Sequence, residues 1–245
     1  MKSIKYLARA LICTLSVGVA AGQSATNFSF SVNRAVPDGN PMGLTLATNL
    51  TVLGGNISDV TVSLDITGGF NGDLYAYLVG PNGGFAMLLN RVGVGTGSSE
   101  SSFGYRDAGF NITINDSATA NGNIHDYQTV SGYAGLLNGG SWQPDGRNMD
   151  PQSSLPLFDT TIPSAFLSSF NGSNPNGTWT LFLADLSSGG QSSVVSWGLG
   201  ITTVPEPSTL SFIAMGGLGA IPVVRRQRRK TYSRFCQVHL PARHQ

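Results

Sequence analysis

Ile57-Ser58-Asp59-Val60-Thr61-Val62-Ser63-Leu64-Asp65-Ile66-Thr67 alternates apolar and polar residues, with one interruption after Ile57. Val60, Val62, Leu64 and Ile66 fall on one face, the period of a strand that buries one side. The pattern recurs along the chain. Residues 26–32 align Phe28, Phe30 and Val32, residues 178–183 align Trp179, Leu181 and Leu183, and residues 194–201 align Val195, Trp197, Leu199 and Ile201. A short β-rich run over 74–79 ends at the turn signal Gly80-Pro81-Asn82-Gly83. Residues 110–114 form one more candidate strand. No segment before Leu210 keeps a 3.6-residue period. Short strands punctuated by Gly and Asn predict an all-β fold, an antiparallel β-sandwich.

Trp179 and Trp197 run in phase with their aliphatic neighbours and are expected in the core, each indole N–H finding a partner. Gly72 and Gly177 are placed where a turn calls for positive φ. Asp73, directly after Gly72, is placed to bond the backbone of its own turn. Residues 93–102 read as a Gly/Ser loop and residues 116–131 as a long polar loop, the kind of segment that carries binding in a sandwich.

The two ends of the chain differ from its middle. Lys2, Lys5 and Arg9 precede an apolar stretch over 10–21 that closes in small residues, as a secretory signal peptide does. Residues 1–22 are assigned to it, with cleavage after Gly22 or after Ala21. At the other end, Val204-Pro205-Glu206-Pro207 leads into an apolar segment over 208–224. Arg225, Arg226, Arg228, Arg229 and Lys230 follow. The apolar segment corresponds to roughly 25 Å of helix, the short end for a bilayer span. The basic run would stay cytoplasmic and leave the main domain exported.

Between the ends lies a domain of about 185 residues, enough to bury roughly 70% of the surface of its unfolded chain. Between Gln23 and Pro207, four basic residues, Arg34, Arg91, Arg106 and Arg147, face thirteen acidic ones, a net charge of −9. Such a surface repels phosphate backbones and excludes a nucleic-acid partner. The two cysteines, Cys13 and Cys236, lie in the end segments, so no disulfide braces the domain.

The C-terminal order of Pro-Glu-Pro, apolar span and arginines resembles the PEP-CTERM sorting signal over 204–230. The resemblance implies an inner-membrane-anchored precursor in a Gram-negative-type bacterium. It also implies an exosortase-type enzyme that cuts near Pro205-Glu206-Pro207 and passes the domain to the cell surface or extracellular matrix. Residues 231–245 extend beyond such a signal and have no assigned role.

Two internal blocks resemble the P domain (P/Homo B domain) that follows the catalytic domain of proprotein convertases and related subtilisin-like proteases. The first runs through the strand quoted above, Phe70-Asn71-Gly72-Asp73-Leu74 and Leu78-Val79-Gly80-Pro81-Asn82-Gly83. The second comprises Phe170-Asn171-Gly172, Asn176-Gly177-Thr178-Trp179-Thr180-Leu181, Ala184-Asp185 and Ser196-Trp197-Gly198-Leu199. Residues 133–146, with Trp142-Gln143-Pro144-Asp145-Gly146, fit the region between. The resemblance covers 49–203 of a domain set at 23–203, and implies a jelly-roll-like sandwich of about eight strands. The protease that accompanies the family's domain has no counterpart in this sequence.

The residues support no catalytic assignment. His125 is the single histidine between the end segments, lies in a polar loop and is expected to be solvated. No nucleophile elbow and no subtilisin-type triad contexts occur. There is no His-x-x-x-His and no Cys pair for zinc. Asp107, Asn115, Asp116, Asp126, Asp145 and Asp150 are loop oxygens of the kind that hold calcium, or else solvated surface groups. The expected role is a non-enzymatic, surface-sorted module that binds an envelope polysaccharide or protein. The alternative is an accessory domain of a subtilisin-like serine endopeptidase system.

Overall fold

A computed structural model describes residues 22–51, 53–97, 101–133 and 135–205. The signal peptide, apart from Gly22, and the sorting segment beyond Pro205 lie outside the described residues. No helix among the described residues is long and apolar enough to cross a membrane.

Among the described residues, nine strands form two sheets: β1 (Ser24–Ala35), β2 (Asn40–Leu50), β3 (Asn56–Gly68), β4 (Leu74–Val79), β5 (Phe85–Asn90), β6 (Gly109–Ile114), β7 (Leu137–Trp142), β8 (Gly177–Asp185) and β9 (Ser192–Val204). One sheet has the order β1-β9-β3-β6-β7 and the other β2-β8-β4-β5. The alternation read from the sequence faces inward. Val60, Val62, Leu64 and Ile66 on β3 and Leu199 and Ile201 on β9 pack in one cluster with Leu74, Leu78, Trp179, Leu181 and Leu183 from the other sheet. Trp179 is fully buried and its indole Nε1–H donates to Pro175 O at 2.9 Å. Trp197 is buried too and lies 4.9 Å from Phe30 between ring centroids.

Two breaks in the period are β-bulges. The β3–β9 register jumps between Ile57 and Asp59, so Ser58 is the extra residue that interrupts the pattern. The same register pairs Asp65 with Ser196 and Ile66 with Val194, leaving Val195 unmatched. That flip corrects the expected face: Val194 is buried with Trp197, Leu199 and Ile201, and Val195 is not.

The sandwich is not wholly antiparallel, because β6 and β7 pair in parallel. A parallel neighbour requires the chain to cross back, and residues 115–136 make that return. This stretch is also not the plain polar loop expected. It holds a 3-10 turn over Ile124–Asp126 and α1 (Gln128–Ser131), and buries Ile124, His125 and Tyr127. A second short helix, α2 (Leu155–Thr160), lies between β7 and β8. Neither is long enough to display a helical period.

Three strands carry no clear sequence signal. β2 and β7 are edge strands, where Pro41, Gly139 and Gly140 are tolerated. β5 is covered on both faces: Ala86, Met87, Leu88 and Leu89 are all fully buried. The segment that follows β7 lies along it, with Asp145 N donating to Leu88 O and Met87 N donating to Ala165 O. A strand covered on both faces loses its alternation.

Gly177 has φ +126°, as expected, but Gly72 does not adopt positive φ. Gly72 is required by a close approach: a Cβ there would stand 2.4 Å from Phe103 O and 2.6 Å from Gly104 Cα.

Truncating Trp179 to Ala removes the largest fully buried side chain and should cost about 3–5 kcal/mol of stability. Urea denaturation checks this, and a loss under about 1 kcal/mol would contradict the packing described.

Candidate functional site

The strand order gathers four connections at one end: residues 36–39, 69–73, 91–108 and 186–191. They are stitched together by the backbone. Asn71 N donates to Asp107 O, Gly72 N to Tyr105 O, Leu186 N to Asp73 O and Val36 N to Ser192 O, all within 3.0 Å. A cleft of about 420 Å³ opens here, lined by Phe70, Asp73, Phe103, Tyr105, Arg106, Ser187 and Ser188. Phe70 and Phe103 stand out at its rim, 40% and 66% exposed.

Behind the cleft, buried polar side chains order the loops. Asn71 Nδ2 donates to Gly109 O and to Tyr127 Oη at 3.0 Å, and Gly109 N donates to Asn71 Oδ1 at 2.8 Å. Asp107 Oδ2 accepts from Tyr127 Oη at 2.6 Å and from Gln128 Nε2, and Oδ1 accepts from Gly135 N at 2.8 Å. Burial, helped by the hydrogen bond to Asp107, raises the Tyr127 phenol pKa well above its ordinary value.

A carboxylate pair closes the end. Leu74 pairs with Asp185, so Asp73 and Asp185 are neighbours across β4 and β8. Asp185 is fully buried and neither of its oxygens has a hydrogen-bond partner. Ser192 Oγ and the Ser187 backbone lie close enough to favour its ionised form, yet neither closes a hydrogen bond with it. Burial and then the Asp73 charge raise the Asp185 pKa to about 6. Asp73 is also raised by burial, against the opposing pull of Ser187 and Arg91. The Asp73 carboxyl thus faces Ser187 of the β8–β9 loop and Arg91, and it is the backbone N–H of Asp73 that bonds its own turn, at Phe70 O.

His125 contradicts its sequence reading: it is 1% exposed. Its Nδ1 lies 2.7 Å from Asp145 Oδ2 and its Nε2 lies 3.1 Å from Val94 O. Both partners are acceptors, so only the doubly protonated ring satisfies both. Burial opposes that charge, but the hydrogen bond and charge of Asp145 outweigh it and raise the His125 pKa. Asp145, fully buried, also accepts from Asn90 N on β5 and from Arg147 N and Nη1. This ion cluster pins β5, the 3-10 turn and the segment after β7 together.

The loop oxygens read as calcium ligands are spread across separate tasks. Asp107 and Asp145 are buried acceptors rather than solvated acids. Asn115 Oδ1 accepts from Ser117 N at 2.7 Å, and Asp116 accepts from Leu167 N and Ser168 N. Asp150 Oδ1 accepts from Gln152 N at 2.9 Å, and Asp126 is partly exposed beside His125. Among the described residues, no group of three or more His, Cys, Asp or Glu side chains is placed to hold a metal ion. Asp73 and Asp185 stood in the two P-domain-like blocks, but nothing in their spacing signals that they meet.

Residues 203–230 match the model of the PEP-CTERM protein-sorting motif. No curated protein matches the chain. Two solved structures are similar at 13% identity and a TM-score of 0.41: the serine protease of Aeromonas sobria in complex with its chaperone, and that serine protease alone. The alignments cover 76% and 74% of this chain, but only 28% and 27% of those chains. The chain spans about a quarter of their length. The sorting motif is a signal recognised by exosortase, and it marks an exported, surface-sorted protein of a Gram-negative-type bacterium.

The His125 cluster has a definite pH signature. A folded pKa raised above about 6.5 contributes stability that is complete below that pH and is lost as pH rises through the folded value. Melts of the wild type should therefore fall towards alkaline pH relative to His125→Gln, and parallel curves would contradict the charged ring. Asp145→Asn leaves His125 and Arg147 without their counter-charge and should cost about 3–5 kcal/mol in chemical denaturation.

Proposed function

We propose that this chain is a non-catalytic, P-domain-like β-sandwich of jelly-roll type, presented outside the cell for envelope or extracellular-matrix interaction. In this reading the precursor is held at the inner membrane by its C-terminal span. An exosortase-type enzyme cuts near Pro205-Glu206-Pro207 and releases residues 23–203 as a folded unit. The loop-lined end then engages a polysaccharide or protein of the envelope.

The observation that carries this reading is the placement of the two ends. β1 begins where β9 finishes, with Ser24 opposite Thr203, and β9 hands the chain directly to Pro205. The cleft lies at the other extreme of β9, beside Ser192. β9, thirteen residues long, spans the distance between the two positions. At about 3.3 Å per residue, the cleft stands on the order of 40 Å from the tether. A tethered domain of this shape turns its cleft-lining loops away from the membrane.

Two further features support it. The P-domain-like blocks lie side by side, since β3 pairs with β9 and β4 with β8. His125 and Asp145 have the separation of a base and its orienting acid, but the outer ring nitrogen meets a main-chain carbonyl rather than a hydroxyl nucleophile.

Replacing Pro205, Glu206 and Pro207 by Ala should hold the chain in the inner membrane. The wild type should yield a surface or secreted form whose mass places its C-terminus before Arg225. A mature form that retains Arg225–Arg229 contradicts the processing, and hydrolysis of casein by that form contradicts the non-catalytic role.

A further inference from the structure

Among the described residues, the buried oxygens of the loop end without a hydrogen-bond partner include both carboxylate oxygens of Asp185 and the Oγ of Ser192, with Asn90 Oδ1 at the end of β5. Asp185 and Ser192 have no exposed surface. They bracket the β8–β9 connection, Asp185 closing β8 and Ser192 opening β9. A buried carboxylate left unpaired is among the costliest arrangements a protein can hold, and it persists when a proton or a cation completes it.

Apart from the Ser187 N–H, which lies near Asp185 without closing a hydrogen bond to it, the nearby donors are committed elsewhere. Leu186 N donates to Asp73 O, Val36 N to Ser192 O and Asp73 N to Phe70 O. Gly189 N donates to the Asp38 carboxylate at 3.2 Å. Gln191 Nε2 donates to the carbonyls of Val36 and Ser192. Arg91 faces Asp73 and donates through Nε to Gly72 O. Around Asp185 stand the Asp73 carboxylate and the Ser192 hydroxyl, with the Ser187 backbone close by. The wall is also stripped of side chains. A Cβ on Gly69 would meet Ser192 Oγ at 2.0 Å, and one on Gly190 would meet Gly69 Cα at 3.2 Å. Asp73 is shared between this pair and the open cleft, which gives a route from solvent.

We propose that this end of the sandwich binds a divalent cation of the calcium class, with Asp185 and Asp73 as carboxylate ligands and Ser192 Oγ as a neutral oxygen ligand. Two carboxylates balance the charge of a divalent ion. An all-oxygen set without His or Cys selects a hard cation over zinc. Backbone carbonyls and water complete such a shell in ordinary calcium sites. The loops that line the cleft are the ones the ion would cross-link, so a bound ion fixes the surface that faces a partner. The proposal does not rest on the interaction role given above, since it concerns the metal alone.

The test uses the full chain in detergent, stripped with a chelator and melted at pH 7.5 in constant ionic strength with calcium chloride, magnesium chloride or sodium chloride. Calcium should raise the Tm by about 5–10 °C at a concentration one hundred-fold above its Kd. Asp185→Asn should abolish that rise. It should also melt above the metal-free wild type, because it removes the unpaired charge, and below the calcium-loaded wild type. Asp150→Asn, at an acid remote in sequence and already bonded to its own loop, should keep the full rise. Calorimetric titration of calcium into the stripped wild type reads binding directly and does not depend on how any variant folds. No heat and no Tm rise in the wild type, or an equal rise in Asp185→Asn, overturns the proposal and leaves a proton on Asp185 as the group that completes the pair.

Discussion

β9 is paired along both of its edges, with β1 on one side and β3 on the other. That double pairing is the constraint on which the rest of the molecule depends. It places Trp197, Leu199 and Ile201 against the opposite sheet. It delivers Val204 to the end from which the sorting segment leaves, and it delivers Ser192 to the end where the loops converge. With no cysteine in the described residues, the two sheets are held by apolar burial and hydrogen bonding, together with the His125–Asp145–Arg147 ion cluster. The bulge at Val195 shows how the strand serves both ends: one extra residue reverses its facing so that Val194 and Trp197 can both point inward.

The loop end is built from polar groups that are buried and, for the most part, satisfied. Asn71, Asp107 and Tyr127 form one network, and His125, Asp145 and Arg147 form another. Networks of this kind fix a single loop arrangement because every alternative strands a donor or a charge in a low-dielectric interior. They also explain how long Gly- and Ser-rich connections reach a defined shape without regular structure. Asp185 and Ser192 depart from this order, and their unpartnered oxygens sit where four connections meet.

The strands legible in the sequence are those that bury one face. β3, β8 and most of β9 alternate because one side meets the other sheet, and their phase survives except at the bulges. β5 was not legible, because both of its faces are buried, which removes the alternation, while the segment carrying Asp145 and Ala165 pairs along its free edge. β7 was not legible for the opposite reason: as an edge strand containing Gly139 and Gly140, it needs little apolar surface. The site was harder still. His125 sits among polar residues, and local composition cannot show that Asp145, twenty residues away, folds over it. The pairing of Asp73 with Asp185 depends on the β4–β8 register, a long-range property that no local pattern encodes.

The central geometric claim is that the tether and the cleft occupy opposite ends of one long strand. The most direct measurement is a distance between spin labels on cysteines introduced at Ser24 and Ser188, in a background where Cys13 and Cys236 are replaced. The account predicts a single narrow distribution on the order of 40 Å, set by the length of β9. A distribution centred below about 25 Å, little more than the reach of a short strand, would place both features on the same end and contradict it.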